Sequence, residues 1–324
     1  MQKSVPCDEY LAYARRFTQA EHNHIVKFTV WLPETIIDCH AHCNLPEHVR
    51  SIDDRAYNHM LSTFPSFTLD ESRTWNGLLH PRKGVRTLRF AKTFRGIDHR
   101  AANLYLLEQS PTEDRVALYG LPDDPEYTIQ MMEHSRVSAL KMYYSYLEPP
   151  ATEIYQYFPK DVLEVAQQRD VPIILHPPRR ITACLDQILQ LVADFPKLRI
   201  CLAHLSLTKR VVPGLEEAFT ALARHSMVSF DTALVPSAEV VAMALRIVGP
   251  DRVMYGSDAP LHLIRSVVYT HPQRGERLIT EHPYHWVDPT DHEEFKHLAH
   301  SVVHAHWQAR YAIENAIEEF PEQV

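Results

Sequence analysis

"TIIDCHAHCN" (residues 35–44) sets Asp38, His40 and His42 at alternate positions directly after a β-branched run. β-Branched residues favour the pleated surface of a strand. Alternate strand residues share a face and lie about 7 Å apart at roughly 3.3 Å rise per residue. Two imidazoles placed this way at the end of a buried strand can reach one metal ion. The same stretch decides the fold, because it is the first of eight of its kind.

Outward from it, short Val/Ile/Leu-rich runs alternate with longer amphipathic segments. The runs are 35–42, 84–94, 115–124, 137–146, 171–178, 198–206, 227–234 and 252–260. From the third onward their starts lie 22 to 34 residues apart, room for one strand and one returning helix. "PKDVLEVAQQRD", "CLDQILQLVADF" and "GLEEAFTALARH" fill gaps with helical pattern. Near-continuous apolar strands alternating with helices indicate a parallel sheet covered on both faces. Eight such units specify an α/β fold, a (β/α)8 TIM barrel, over about residues 34–262 of a single domain spanning 1–324. An open doubly wound sheet is the competing architecture, but the chain has 8 glycines and neither GxGxxG nor GxxxxGK[ST].

Three segments fall outside the beat. Residues 44–83 form an insertion between the first strand and its helix, read as a helix and a loop that lids the site. Residues 263–324 read as a C-terminal helical extension, and nine histidines fall between 261 and 324. Upstream, residues 8–22 read as a helix and "IVKFTVWLP" as a short strand ended by Pro33.

A formal charge of −8 and a pI near 6.2 argue against a nucleic-acid partner, which needs a basic face. They also leave little to draw the chain to anionic membranes. No apolar run reaches the roughly 18 residues of a membrane span, and "MQKSVPCDEY" lacks a signal peptide's apolar core. Five cysteines without a CxxC pair do not make a disulfide framework. The expectation is a reduced, cytoplasmic protein.

Barrels of this kind carry their active sites at the C-terminal ends of the strands. His40 and His42 fall there on strand 1, Lys141 on strand 4, His176 on strand 5, His204 on strand 6 and Asp258 on strand 8. One histidine at a strand end is most often a hydrogen-bonded core residue. Convergence on the same end of several strands reverses that reading.

HxH on strand 1, histidines on strands 5 and 6 and "GSD" on strand 8 resemble the amidohydrolase superfamily. The branch they resemble is the amidohydrolase-2 group, which includes aminocarboxymuconate-semialdehyde-type decarboxylases beside lactone and amide hydrolases. The resemblance implies that His40, His42, His176 and Asp258 hold a divalent metal, zinc first among candidates. His204 would bind a second ion or polarise substrate, and Asp258 would move the proton of a metal-activated water. It also implies that Lys141, if carbamylated, bridges two ions; "ALKMYYSY" is similar to the strand-4 segment of dihydroorotases, a likeness that does not extend along the chain. Otherwise Lys141 is an ammonium that meets a substrate carboxylate.

Arg179 and Arg180 in "HPPRR" offer planar forks for an acidic small-molecule substrate, against a plain surface or capping role. Tyr143, Tyr144 and Asp231 can line the pocket or merely pack, and Asp38 can orient a ligand histidine or only satisfy backbone donors. His297, His300 and His304 share a helix face by spacing, read as a partly exposed helix on the barrel; "HEEFKH" is one residue too long for HExxH. Cys39, Cys43, Cys184 and Cys201 read as packing residues. The resulting order of functions is metal-dependent hydrolase of a small amide, lactone or related bond, then non-oxidative decarboxylase, then non-catalytic binding barrel. Barrels of this group often pair, so a homodimer stands as an expectation.

Overall fold

Each of the eight apolar runs contains a strand in the computed structural model, which describes residues 17–51, 66–280, 287–295, 297 and 305–319. The strands are β1 (Thr35–His42), β2 (Gly84–Phe90), β3 (Arg115–Tyr119), β4 (Val137–Met142), β5 (Ile173–Leu175), β6 (Ile200–Leu202), β7 (Val228–Asp231) and β8 (Val253–Met254). They form one sheet in chain order, every neighbouring pair parallel. The segment after β8 returns to β1: Cys39 N–H donates to Tyr255 O at 3.0 Å and His42 N–H to Ala259 O at 2.7 Å. That seam closes the barrel and removes its edges.

Helices α1 (Gln19–Trp31), α2 (Leu69–Leu79), α3 (His99–Gln109), α4 (Pro125–Met131), α5 (Lys160–Gln168), α6 (Ile181–Asp194), α7 (Leu215–Ala223) and α8 (Ala238–Val248) precede or follow the strands. On α6 the buried residues Ile181, Cys184, Ile188 and Leu191 recur at spacings of three and four, the stripe a helix needs to seat on a sheet. They join Phe219, Leu222, Val241 and Leu245 in the main core. A separate small cluster of Phe90, Ala117, Ala139, Ile174 and Ala203 comes from successive strands and fills the barrel interior. Among the described residues no helix is long and apolar enough to cross a membrane.

"IVKFTVW" is not a strand; it is the second half of α1. Thr18 Oγ1 accepts from Glu21 N–H at 3.2 Å, and Glu21 Oε2 accepts from Thr18 N–H at 2.7 Å. This capping box nucleates the helix, and burial of one stripe outweighs the β preference of its valines. Phe28 is fully buried, stacked on Trp307 with centroids 6.0 Å apart, while Val26 and Val30 face out. Residues 8–16 of the expected N-terminal helix lie outside the described residues.

The insertion contributes a 3-10 turn at Pro46–His48 and α2; its residues 52–65 lie outside the described residues. Leu69, Leu78 and Leu79 of α2 pack with Phe28 and Trp307 on the flank of the barrel. The extension holds a hairpin that the histidine-rich pattern did not announce, β9 (Ser266–His271) and β10 (Gly275–Thr280), antiparallel. Its signal was the turn "PQRG", where Gly275 adopts φ +71°. Helices α9 (Pro289–Phe295) and α10 (Ala305–Glu319) follow. Of the face expected at His297, His300 and His304, the last two lie outside the described residues.

Thr18→Ala removes the cap that decides between helix and strand. We expect it to cost about 1 kcal/mol, read as a lower midpoint in urea unfolding; an unchanged midpoint would show that packing alone fixes α1.

Candidate metal centre

The seam between β8 and β1 builds the site. Asp38 accepts from Ser257 N–H (2.8 Å), Ser257 Oγ–H (2.6 Å) and His40 N–H (3.1 Å), so it ties the "GSD" segment to β1. Asp258 N–H donates to His40 O at 2.7 Å. Asp258 takes φ +60°, and Gly256 beside it admits no side chain, because a Cβ there would stand 2.8 Å from His40 Cβ. These contacts aim the Asp258 carboxylate at the histidines.

Four imidazoles meet it, each held from behind through Nδ1. His42 Nδ1 lies 3.1 Å from Ala91 O, His204 Nδ1 2.8 Å from Ala233 O and His176 Nδ1 3.2 Å from Pro177 O. A carbonyl only accepts, so these Nδ1 atoms carry the proton and each neutral ring points an Nε2 lone pair into the cavity. His40 Nδ1 lies 2.9 Å from Asp231 Oδ2, which fixes the same tautomer. Ahead of the rings, Asp258 Oδ1 stands 3.4 Å from His40 Nε2 and 3.1 Å from His42 Nε2. That oxygen is buried and accepts no hydrogen bond. Lone pairs face lone pairs, an arrangement that a cation resolves.

Burial sets the protonation states. It pushes His204 down to about 4 and His176 well below its ordinary value, and it also lowers His42. Burial raises the Asp258 carboxyl, whereas positive charge on the facing His42, His40 and His204 lowers it well below the usual range, and a cation among them would act in the same sense. Asp231 is likewise held at about 2 against burial, by His40 and His204. Burial brings Lys141 down to about 8, opposed by Asp231 and Asp258. Neutral imidazoles beside an ionised carboxylate are the forms that bind divalent metal.

All the residues expected at strand ends do converge, lining one cavity of about 630 Å³. His40, His204 and Asp258 form the tightest group, with ligand atoms within 4.8 Å of one another. His42 closes on Asp258, whereas His176 sits beside His204 with ring centroids 5.2 Å apart. Its Nε2 lies 3.4 Å from the Tyr143 hydroxyl, which donates to it. Lys141 Nζ is buried without a hydrogen-bond partner, 5.2 Å from the Phe90 ring centroid. Arg179 and Arg180 line the cavity as exposed residues. None of the described residues of 44–83 lines it; Arg277, Asp288 and Asp291 of the extension do.

Of the two parts open to Asp38, orienting a ligand histidine or satisfying backbone donors, it takes the second and adds the Ser257 hydroxyl. Asp231 takes the first. Its Oδ2 holds His40 Nδ1, while its Oδ1 accepts from His204 N–H at 2.8 Å and Ala233 N–H at 3.1 Å. The second bond secures a left-handed turn, His204 to Leu207, four consecutive residues with φ between 46° and 61°. Such backbone costs roughly 1–2 kcal/mol per residue without glycine and persists only where its surroundings enforce it.

A family model described as amidohydrolase matches residues 37–321. The chain belongs to the amidohydrolase-2 family. No curated protein matches the sequence. Solved structures share the fold of this family member at low identity. Amidohydrolase 2 from Bifidobacterium longum subsp. infantis is 15% identical, with a TM-score of 0.50 over 70% of this chain and 85% of its own. An amidohydrolase from Burkholderia multivorans with bound zinc is 14% identical, TM-score 0.52, over 70% and 84%. A 2,6-dihydroxybenzoate decarboxylase from Rhizobium is 15% identical, TM-score 0.51, over 90% and 100%.

Asp231→Asn turns an amide towards the His40 Nδ1–H or the His204 N–H, so one bond is lost. Zinc affinity, measured by competition with a chromophoric chelator, should fall roughly 10- to 100-fold; an unchanged affinity would remove Asp231 from the account. Acid should also unfold the metal-free protein. The unfolded imidazole binds its proton near 6.5 and folded His204 only near 4, so stability is present above about pH 6.5 and drains away as pH falls towards 4. Calorimetric melting across that window tests this; a flat Tm from pH 7 to 4.5 would contradict it.

Proposed function

We propose that this protein is a metal-dependent hydrolase that cleaves an amide, lactone or related bond in a small, carboxylate-bearing molecule. The observation that carries this reading is the buried Asp258 Oδ1, without a donor, facing two imidazole lone pairs at 3.1 and 3.4 Å. His40, His42, His204 and Asp258 would hold a divalent ion, and His176 would join them on releasing Tyr143. Imidazoles with one carboxylate suit zinc. When bound, such an ion supplies Lewis acidity, worth several kcal/mol at a developing oxygen charge.

The chain's own groups supply the rest. The ionised Asp258 carboxylate accepts the proton of the attacking water and returns it to the leaving group. Tyr143 O–H, on the cavity wall, donates to a substrate oxygen. Arg179 and Arg180 orient a substrate carboxylate at the mouth. Lys141, brought down to about 8, offers an amine fraction at neutral pH; its carbamate would take the place of an ammonium and hold a second ion.

One observation favours decarboxylation as a second reading. As an ammonium, the buried Lys141 Nζ is an acid inside the cavity, placed to protonate a carbon that has lost carbon dioxide. Turnover in ¹⁸O-labelled water separates the two: label in the organic product supports hydrolysis, and an unlabelled organic product one carbon dioxide lighter than the substrate supports decarboxylation. Asp258→Asn should lower kcat by roughly 10²–10⁴ while the fold survives. Unchanged kinetics would sink the role given to Asp258.

A further inference from the structure

Tyr143 and His176 are neighbours by register. β4 and β5 pair in parallel with Met142 beside Leu175. The next residue of each strand is therefore Tyr143 on one and His176 on the other, side by side at the C-terminal end of the barrel, where both line the cavity. Their rings meet edge to face, with centroids 4.7 Å apart at 63°. The Tyr144 ring lies nearly parallel to the imidazole, its centroid 5.5 Å away at 23°. Behind them, the buried Tyr157 hydroxyl donates to His176 O at 2.8 Å. The backbone of His176 is thereby fixed, and its ring sits in an aromatic corner.

One contact in that corner bears on the ion. His176 Nδ1 lies 3.2 Å from Pro177 O, so the proton is on Nδ1 and the lone pair on Nε2. The Tyr143 hydroxyl, 3.4 Å from Nε2, donates to that lone pair. Tyr144 also bonds to Tyr143 through its hydroxyl; with the Tyr143 proton given to His176, Tyr144 is the donor there. An imidazole lone pair accepts one proton donor or binds one ion, never both at once. His40, His204 and Asp258 bring their ligand atoms within 4.8 Å of one another, and His176 is not of that group.

We infer that Tyr143 is a positioning residue of the metal centre: its hydroxyl competes with the ion for His176 and so sets how many imidazoles the ion receives. This role rests on the reading of the histidine–Asp258 cluster as a metal centre. It also gives the hydroxyl a consequence in hydrolysis. Tyr143 has one proton to donate, so a substrate oxygen that takes it frees His176 Nε2 for the ion. Substrate arrival then tightens the hold on the metal, and by linkage the metal favours that substrate by the same factor.

Zinc affinity of the full-length chain, measured by competition with a chromophoric chelator, reads the competition directly and needs no substrate. Tyr143→Phe keeps the ring and removes the donor, so zinc should bind about fivefold more tightly, the net worth of one hydrogen bond. In a His176→Phe background the same substitution should change nothing, because no lone pair is left to release. The four proteins form a double-mutant cycle, with Tm measured for each, and His176→Ala replaces His176→Phe if the latter fails to fold. A tyrosine that only packs would lower zinc affinity in both backgrounds or leave both unchanged. Equal or weaker zinc binding by Tyr143→Phe would overturn the proposal, and so would a gain that persists without His176. Wild-type protein that takes up no zinc would overturn the metal reading and this role with it. Zinc held equally by wild type and Tyr143→Phe would overturn this role alone.

Discussion

Asp258 enters the barrel through the β8–β1 seam, where its own N–H bonds to the His40 carbonyl and Asp38 grips Ser257 by N–H and hydroxyl. This set of hydrogen bonds closes the sheet and aims the carboxylate in one stroke. Barrel closure and ligand geometry are therefore the same structural fact. A change that loosens the seam would move the carboxylate relative to His40, and one that moves the carboxylate would open the barrel. The absence of space beside Gly256 has the same origin, since β1 and the segment after β8 touch backbone to backbone there.

Around that seam the protein keeps unfavourable electrostatics in place. A buried carboxylate oxygen without a donor costs on the order of several kcal/mol, and four successive left-handed residues add strain. Neither helps the fold. Both are tolerated because Asp231, the carbonyls of Ala91, Pro177 and Ala233, and the packed strands over-determine the positions. Local rules that fail together at one end of a barrel mark the functional end. The bound cation would supply the positive charge that the ionised Asp258 otherwise lacks.

The barrel was legible in the sequence because parallel strands covered on both faces must be apolar along their length, so each announces itself. The ligand residues were legible because strand ends in this fold point at one place. Asp231 was harder to assign. It lies within "SFDTA" with nothing nearby to mark it, and its role arises from an imidazole 191 positions away in the chain. Asp38 drew attention by standing beside HxH, yet it serves the backbone. "IVKFTVW" misled because its two valines, Val26 and Val30, lie on the exposed side of a capped helix, where propensity yields to burial of Phe28.

The central claim is that the histidine–Asp258 cluster is a metal site, and elemental analysis of protein purified without chelators tests it most directly. The account predicts at least one zinc or similar divalent ion per folded chain, approaching two if Lys141 is carbamylated, and its loss when His40 and Asp258 are replaced together. Folded wild-type protein that holds no ion, and takes none up when zinc is titrated in, would contradict it.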